Sequence, residues 1–320
     1  MRLVALALLL VVVPAEGSAQ ERTYRLGELA ANDISLGITR AETLPELARL
    51  GFREGRNLVI DERAGDAAAL SRHIREMVAA KPDAVIAIGP EAIEAAASAT
   101  KTIPIVAFGA NPVQMGFAAS LARPGGNVTG VSILFEELEG KRAALLHEAV
   151  PQAKRMAVLF LPSLRRLGYR QSAESEIRAA LVNTGAELLA FEAEGPDEYP
   201  ATFAAMQVAG AQSLLITGNP TFNRDMTLLA DLALEQHLPV MCEWAENARS
   251  GCTFGYGPNR SELRRRLAHY VARIFRGVAP SELPIETPTH FELAVNLKSA
   301  KQLGLDVPMT LLVRADEVIE

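Results

Sequence analysis

Glu243 and Trp244 place a carboxylate beside the chain's sole tryptophan. A carboxylate meets an ammonium by charge, and an indole face attracts a cation or stacks on an aromatic ring, so the pair is equipped to hold a small amine or aromatic molecule. The alternative is that Trp244 plugs the edge of a domain and touches no ligand. Cys242 and Cys252, the only two cysteines, bracket the same stretch. In an exported chain an even count favours pairing, and a Cys242–Cys252 bridge would brace the Trp244 loop. Strand neighbours can also hold their Cα atoms too far apart to bond, which would leave two separate buried thiols.

Other candidate residues follow short apolar runs: Asn32 and Asp33; Gly89, Pro90 and Glu91; Asn111 and Pro112; Ser163; Gly218 and Asn219. In an open α/β sheet ligands bind beyond the carboxyl ends of the strands. These positions therefore suit a cleft that hydrogen-bonds a small polar molecule through backbone amides and a few side chains. Each is equally a helix N-cap or turn former, and Pro90, Pro112 and Pro220 are suited to open the next helix.

Signs of covalent chemistry are missing. The chain has no Gly-x-Ser-x-Gly elbow, Gly-x-Gly-x-x-Gly fingerprint, Walker loop or His-Glu-x-x-His pair. His73, His147, His237, His269 and His290 are scattered, and Glu136-Glu137 and Glu192/Glu194 read as solvated acids. No catalytic residue, metal or cofactor is assigned.

The elements that must position these residues alternate short β-branched runs with longer segments of helical period, the pattern of βα units and a parallel sheet. Strands are expected at 24–29, 58–62, 84–88, 103–108, 128–133, 156–161, 187–191, 213–217, 239–242 and 253–256. Helices are expected at 41–50, 67–80, 91–99, 136–149, 171–183, 224–235 and 262–275. Prolines at 280, 284 and 288 mark an extended connection after Gly277.

Met1-Arg2, the apolar stretch Leu3 to Val13 and the small-residue site Gly17-Ser18-Ala19 read as a secretory leader over residues 1–19, with the mature chain starting at Gln20. No Cys follows the cleavage site, so a lipid anchor is not expected, and no later apolar run reaches the ~18 residues of a membrane span. The remaining ~300 residues exceed one ordinary core and favour two domains. A net charge of −6 with scattered Lys and Arg excludes a nucleic-acid footprint. The one dense basic cluster, Arg264-Arg265-Arg266, reads as the solvated face of a helix.

One run carries more information than its turn chemistry. Leu121-Ala122-Arg123-Pro124-Gly125-Gly126-Asn127-Val128-Thr129-Gly130 follows Asn111-Pro112-Val113 and resembles the hallmark of the substrate-binding proteins of ABC importers, in the aromatic-amino-acid-binding-like group. Gly55 to Ile60, Lys81 to Ile86, Glu243-Trp244, Gly255-Tyr256-Gly257-Pro258, Pro288 to Asn296 and Arg314 to Glu320 repeat the resemblance in order along the chain.

The resemblance implies an α/β fold of two doubly wound parallel-sheet domains joined by three crossovers, the periplasmic binding protein type I fold. Crossings are implied near Ser132, at Phe254 to Pro258 and at Leu283 to Glu286. The domains would be 20–132 plus 256–284, and 133–255 plus 285–320. It further implies a monomeric periplasmic protein that binds a small polar or aromatic molecule between its domains. Its partner would be an ABC permease in the inner membrane. Asn111 departs from the family, which has Asp before this Pro-Val, and so removes a counter-ion. The rival readings are a secreted α/β enzyme using Asp33 or Glu243 as acid or base, and a ligand-sensing subunit of a membrane receptor.

Overall fold

The computed structural model describes residues 22–320, so the expected leader and the cleavage before Gln20 lie outside the described residues. In the first lobe β1 (Tyr24–Ala30) leads through α1 (Asp33–Ile38), a π-helical turn (Thr39–Thr43) and α2 (Leu44–Arg49) to β2 (Leu58–Ala64). Then come α3 (Ala67–Ala79), β3 (Ala84–Ile88), α4 (Pro90–Ala99), β4 (Ile105–Gly109) and β5 (Val128–Ser132). The five strands are parallel, in the order β2-β1-β3-β4-β5. β3, β4 and β5 are buried along their whole lengths because helices cover both faces, which is why they read as unbroken apolar runs. Gly130 answers to this packing: its φ is 136°, and a Cβ there would lie 2.0 Å from the Ala107 carbonyl oxygen on β4.

The second lobe opens with α5 (Phe135–Ala149) and β6 (Arg155–Phe160), then α6 (Tyr169–Leu181), β7 (Glu187–Glu192), α7 (Tyr199–Val208) and β8 (Ser213–Ile216). It continues through α8 (Pro220–Arg224), α9 (Met226–Glu235), β9 (Val240–Cys242), a 3-10 turn (Ala245–Ser250) and β10 (Phe254–Pro258). After β10 the chain returns to the first lobe as α10 (Arg260–Phe275), packed on α2, β3, β4 and β5. The end of α10 is held by an aromatic cluster in which Phe275 stacks on Tyr24 at 4.6 Å and Phe52 meets both edge-on at 5.1 Å. The chain finishes in the second lobe with β11 (Phe291–Asn296), α11 (Leu297–Gln302), α12 (Met309–Leu312) and β12 (Glu317–Ile319). This sheet runs β12-β11-β10-β9-β8-β6-β7, parallel except for the antiparallel pair β10 and β11.

The architecture is the two-lobed α/β fold expected from the sequence, with the crossings following Ser132, Pro258 and Glu286. Residues 256–258, assigned by the sequence reading to the first domain, hydrogen-bond in the seven-stranded sheet. Residues 285 and 286, assigned to the second, are bonded to the first lobe: Ile285 N donates to Leu121 O at 2.7 Å, Glu286 N to Gly130 O at 3.0 Å, and Ser132 N to Glu286 O at 2.9 Å. The third connection thus runs as a short extension along β5 before it crosses.

Among the elements the sequence reading does not include are α7, β11, β12 and the short helices α8, α11 and α12. The buried residues of α7, Tyr199, Phe203 and Met206, have helical spacing, but alanines and the exposed Val208 make the segment apolar all round and hide the stripe. β11 and β12 are missed as strands because one is a mixed run and the other has three residues. The helix expected at 41–50 in fact begins at Asp33, eight residues earlier along one continuous α–π–α segment.

Candidate functional site

Between the carboxyl ends of the first lobe's β1, β3 and β4 and those of β8 and β9 lies a cavity of about 60 Å³. Asn32 contributes from both ends of its amide. Its Oδ1 accepts from Ser35 N at 3.0 Å and caps α1, while its Nδ2 donates to Pro220 O at 2.8 Å on the other lobe. Beside it Gly89 opens α4 with φ 87°, and a Cβ there would lie 3.0 Å from Pro220 Cγ. The lobes are therefore in direct contact across the cleft.

The second lobe's wall is a chain of hydrogen bonds. Asn219 caps α8 by accepting from Phe222 N at 2.8 Å. Asn223 donates its amide to the Glu243 carboxylate and to Asn219 O, and accepts from Asn247 Nδ2 at 3.3 Å. Asn247 in turn accepts from Trp244 N at 2.8 Å. Glu243 is fully buried, and burial pushes its carboxyl up to about 7 against the opposing pull of Arg142 and Asn223.

Behind this wall α5 supplies the buried pair Glu139 and Arg142, three residues apart and 3.1 Å from each other. Glu139 Oε1 accepts from Tyr169 OH and from Gly218 N, both at 2.9 Å. Arg142 donates to Tyr256 O at 2.8 Å and to Glu243 O at 3.0 Å, tying the ends of β9 and β10 together. A buried pair of this kind fixes an arrangement more than it adds stability. The glycines of the Gly255-Tyr256-Gly257 motif let β10 lie against the same loop: a Cβ on either would sit 2.2 Å from the carbonyl oxygen of Trp244 or Glu243. Across the 3-10 turn Cys242 and Cys252 form a disulfide, with Cα atoms 6.4 Å apart.

Trp244 lines the cavity, 4% exposed, with the Arg260 guanidinium 5.6 Å from its ring centroid. One turn along α10, Arg264 also lines it. Its guanidinium lies 4.2 Å from the Phe108 ring centroid and donates to Thr39 Oγ1 at 3.3 Å. Burial lowers Arg264 to about 10. Arg264 therefore does not belong to a solvated basic face; of the cluster only Arg265 and Arg266 are exposed, Arg266 pairing with Glu286. Beneath Arg264, Glu28 in the middle of β1 is wholly buried, and burial pushes it up to about 8, opposed by the Thr39 hydroxyl and Arg264.

Of the residues expected at the site, Asn32, Gly89, Asn219, Glu243 and Trp244 line the cavity. Asp33 is exposed beside it, Pro90 is buried inside α4, and Glu91 lines a groove between α3 and α4 instead. Asn111 Oδ1 turns back to accept from Val113 N at 3.0 Å, with Pro112 buried next to it, and Ser163 N donates to Glu194 at 3.2 Å. Gly218 sits behind Glu243 rather than in the cavity, where a Cβ would lie 2.5 Å from the Glu243 carboxyl carbon. Asn223, Phe108, Arg260 and Arg264 line the cavity although the sequence reading proposes none of them as a site residue and assigns Arg264 to a solvated face. The recurrence of arginine four residues apart, each on the apolar stripe of its helix, was the available signal for the last two. Among the described residues no group of three or more His, Cys, Asp or Glu is placed to hold a metal ion, and no helix is long and apolar enough to cross a membrane.

Comparison with known proteins matches residues 35–319 to the family model described as ABC transporter substrate binding protein. A "Tyrosine-binding protein" of Clostridioides difficile (strain R20291) is 24% identical over 304 residues, covering 90% of this chain and 82% of that protein. Among solved structures, a conserved domain protein from Vibrio cholerae O1 biovar El Tor superposes with a TM-score of 0.85 at 25% identity. An ABC domain from Streptococcus pneumonia in complex with L-Trp superposes with a TM-score of 0.83 at 21% identity. Each of these two covers 93% of this chain and 100% of its own.

Proposed function

We propose, from the premise that this chain belongs to the ABC transporter substrate binding protein family, that it is the solute-capturing component of an importer and works by hinge closure. The observation that carries the reading is the Asn32 Nδ2 to Pro220 O hydrogen bond at 2.8 Å, made across a cavity whose walls come from both lobes. Contacts of this kind exist only when the lobes meet. A ligand touching both walls therefore binds the closed form better and shifts the population toward it, the three crossovers absorbing the rotation. Micromolar affinity, about 8 kcal/mol, suffices for that task.

The closed form is what an ABC permease in the inner membrane would receive, from a monomeric, exported protein in the periplasm with no role for nucleic acid. Trp244, Phe108 and four isoleucines at positions 34, 38, 88 and 133 give the cavity an apolar lining, which suits a ligand with an aromatic or branched body. The relatives named for tyrosine and crystallised with L-Trp support an amino acid. The enzyme reading loses one of its two residues, since Asp33 does not line the cavity. A receptor-docking role remains the second partner reading, distinguished by whether a permease or a receptor domain is captured by the liganded protein.

Native mass spectrometry of protein purified from exporting cells tests the function. A bound small molecule released unaltered, together with a smaller radius of gyration when it is present, is expected. A bound molecule that is converted on standing would favour the enzyme.

A further inference from the structure

We propose that the cleft selects a small organic carboxylate on an apolar body, and that Arg264 is the residue that holds the carboxylate; this rests on the solute-binding reading above. Arg264 is 3% exposed and lines the cavity. Among the described residues its one side-chain hydrogen bond is the 3.3 Å contact to Thr39 Oγ1, and its Nε is buried with no partner there. Among the described residues no carboxylate lies within 4.0 Å of its guanidinium nitrogens. Three acids approach from the surrounding elements without pairing: Glu28 from β1, Glu42 from the π-helical turn and Glu243 from the loop after β9. Burial pushes Glu28 up to about 8 and Glu243 to about 7, so at neutral pH neither supplies a full negative charge.

A guanidinium taken out of water with no carboxylate in contact, Glu42 acting on it only from beyond 4.0 Å, is a standing penalty, and the penalty is reduced when an anion arrives. Arg264 is also shaped for that anion. The Phe108 ring lies 4.2 Å from the guanidinium carbon, and the unpartnered Nε leaves donor capacity for the planar two-point contact that carboxylates accept. Arg260, four residues earlier and over Trp244, adds a second positive charge to the same wall. The carboxylate thus belongs to the first lobe's side and the apolar body to Trp244 and the isoleucines.

The test uses the mature protein and matched probes sharing one body: indole-3-propionate, indole-3-propionamide, tryptamine and L-tryptophan, with phenyl and branched aliphatic counterparts, measured by calorimetry. For the body that fits, the acid should bind at least about tenfold more tightly than its amide or amine. Arg264→Gln should erase that preference while changing the amide's affinity by less than about twofold. An amide or amine binding as well as the acid, or a preference that survives Arg264→Gln, overturns the assignment while leaving solute capture intact.

A second variant is independent of the choice of body. Arg264→Met replaces an unpaired buried cation with an apolar side chain and should raise the melting temperature of the ligand-free protein. A lowered melting temperature would make Arg264 a structural group and overturn the proposal. If no probe binds and no ligand co-purifies, the solute-binding reading itself fails.

Discussion

Asn32 and Pro220 are joined across the cleft by a side chain that also caps a helix on its own lobe. Asn32→Asp keeps the acceptor that caps α1 and removes the donor to Pro220 O. Ligand affinity should fall by about 1 kcal/mol with little change in the melting temperature of the ligand-free protein. Small-angle scattering should show fewer closed molecules at a fixed ligand concentration; an unaltered closed fraction contradicts this.

Trp244 should report on occupancy. As the sole indole, buried at the cavity wall with Arg260 over it, its emission should change when a true ligand enters. Trp244→Phe should weaken binding by about 1 kcal/mol and Trp244→Ala by about 1 to 3 kcal/mol. Equal affinities in all three proteins, with only the melting temperatures differing, would reduce Trp244 to a plug.

The Cys242–Cys252 bridge closes a loop with a sequence separation of 10. Titration of the unfolded, unreduced protein should find no free thiol. A Cys242→Ala, Cys252→Ala double variant should lose about 3 kcal/mol on the chain-entropy model. It should also bind more weakly than the loss of global stability explains, because the Glu243–Trp244 loop is no longer held from both ends. Affinity equal to that of the parent would show that the Asn247 and Arg142 hydrogen bonds suffice.

Glu28 should make stability depend on pH. Its folded value, about 8, lies above the 4.5 of an unperturbed carboxyl, so the folded protein keeps a proton that the unfolded chain has given up. Its contribution is fully present below about pH 4.5 and is lost as pH rises through about 8, a change on the order of a few kcal/mol. Glu28→Gln should flatten this slope in thermal melts and raise the melting temperature at about pH 9. Parallel pH profiles for variant and parent rule the effect out.

The sheet cores were legible because β3, β4 and β5 are buried on both faces and leave no polar interruption. The disulfide was legible from two cysteines around one loop. The cavity was only half legible. Reading the residues after each strand finds Asn32, Gly89, Asn219, Glu243 and Trp244, which the backbone delivers directly. Arg260 and Arg264 come from a helix that reaches the cleft only after the chain has returned from the other lobe. A local reading of three consecutive arginines sees charge and assigns it to water, although the positions of Arg264 and Leu267 on α10 place both inside. Asn111 and Ser163 fail in the opposite way: their types suit a ligand, but the Asn111 side chain is spent on its own turn and Ser163 bonds through its backbone N to Glu194, away from the cavity.

The return of α10 to the first lobe sets an order of events on the ribosome. Residues 22–132 emerge first, yet the sheet face formed by Leu26, Phe108 and Val131 waits for Leu267, Val271 and Phe275. All of β6 to β10 is synthesised in between. The half made earliest therefore closes its interior only after most of the other half has been made, and a nascent chain halted at Pro258 carries that face bare to any chaperone that recognises apolar surface.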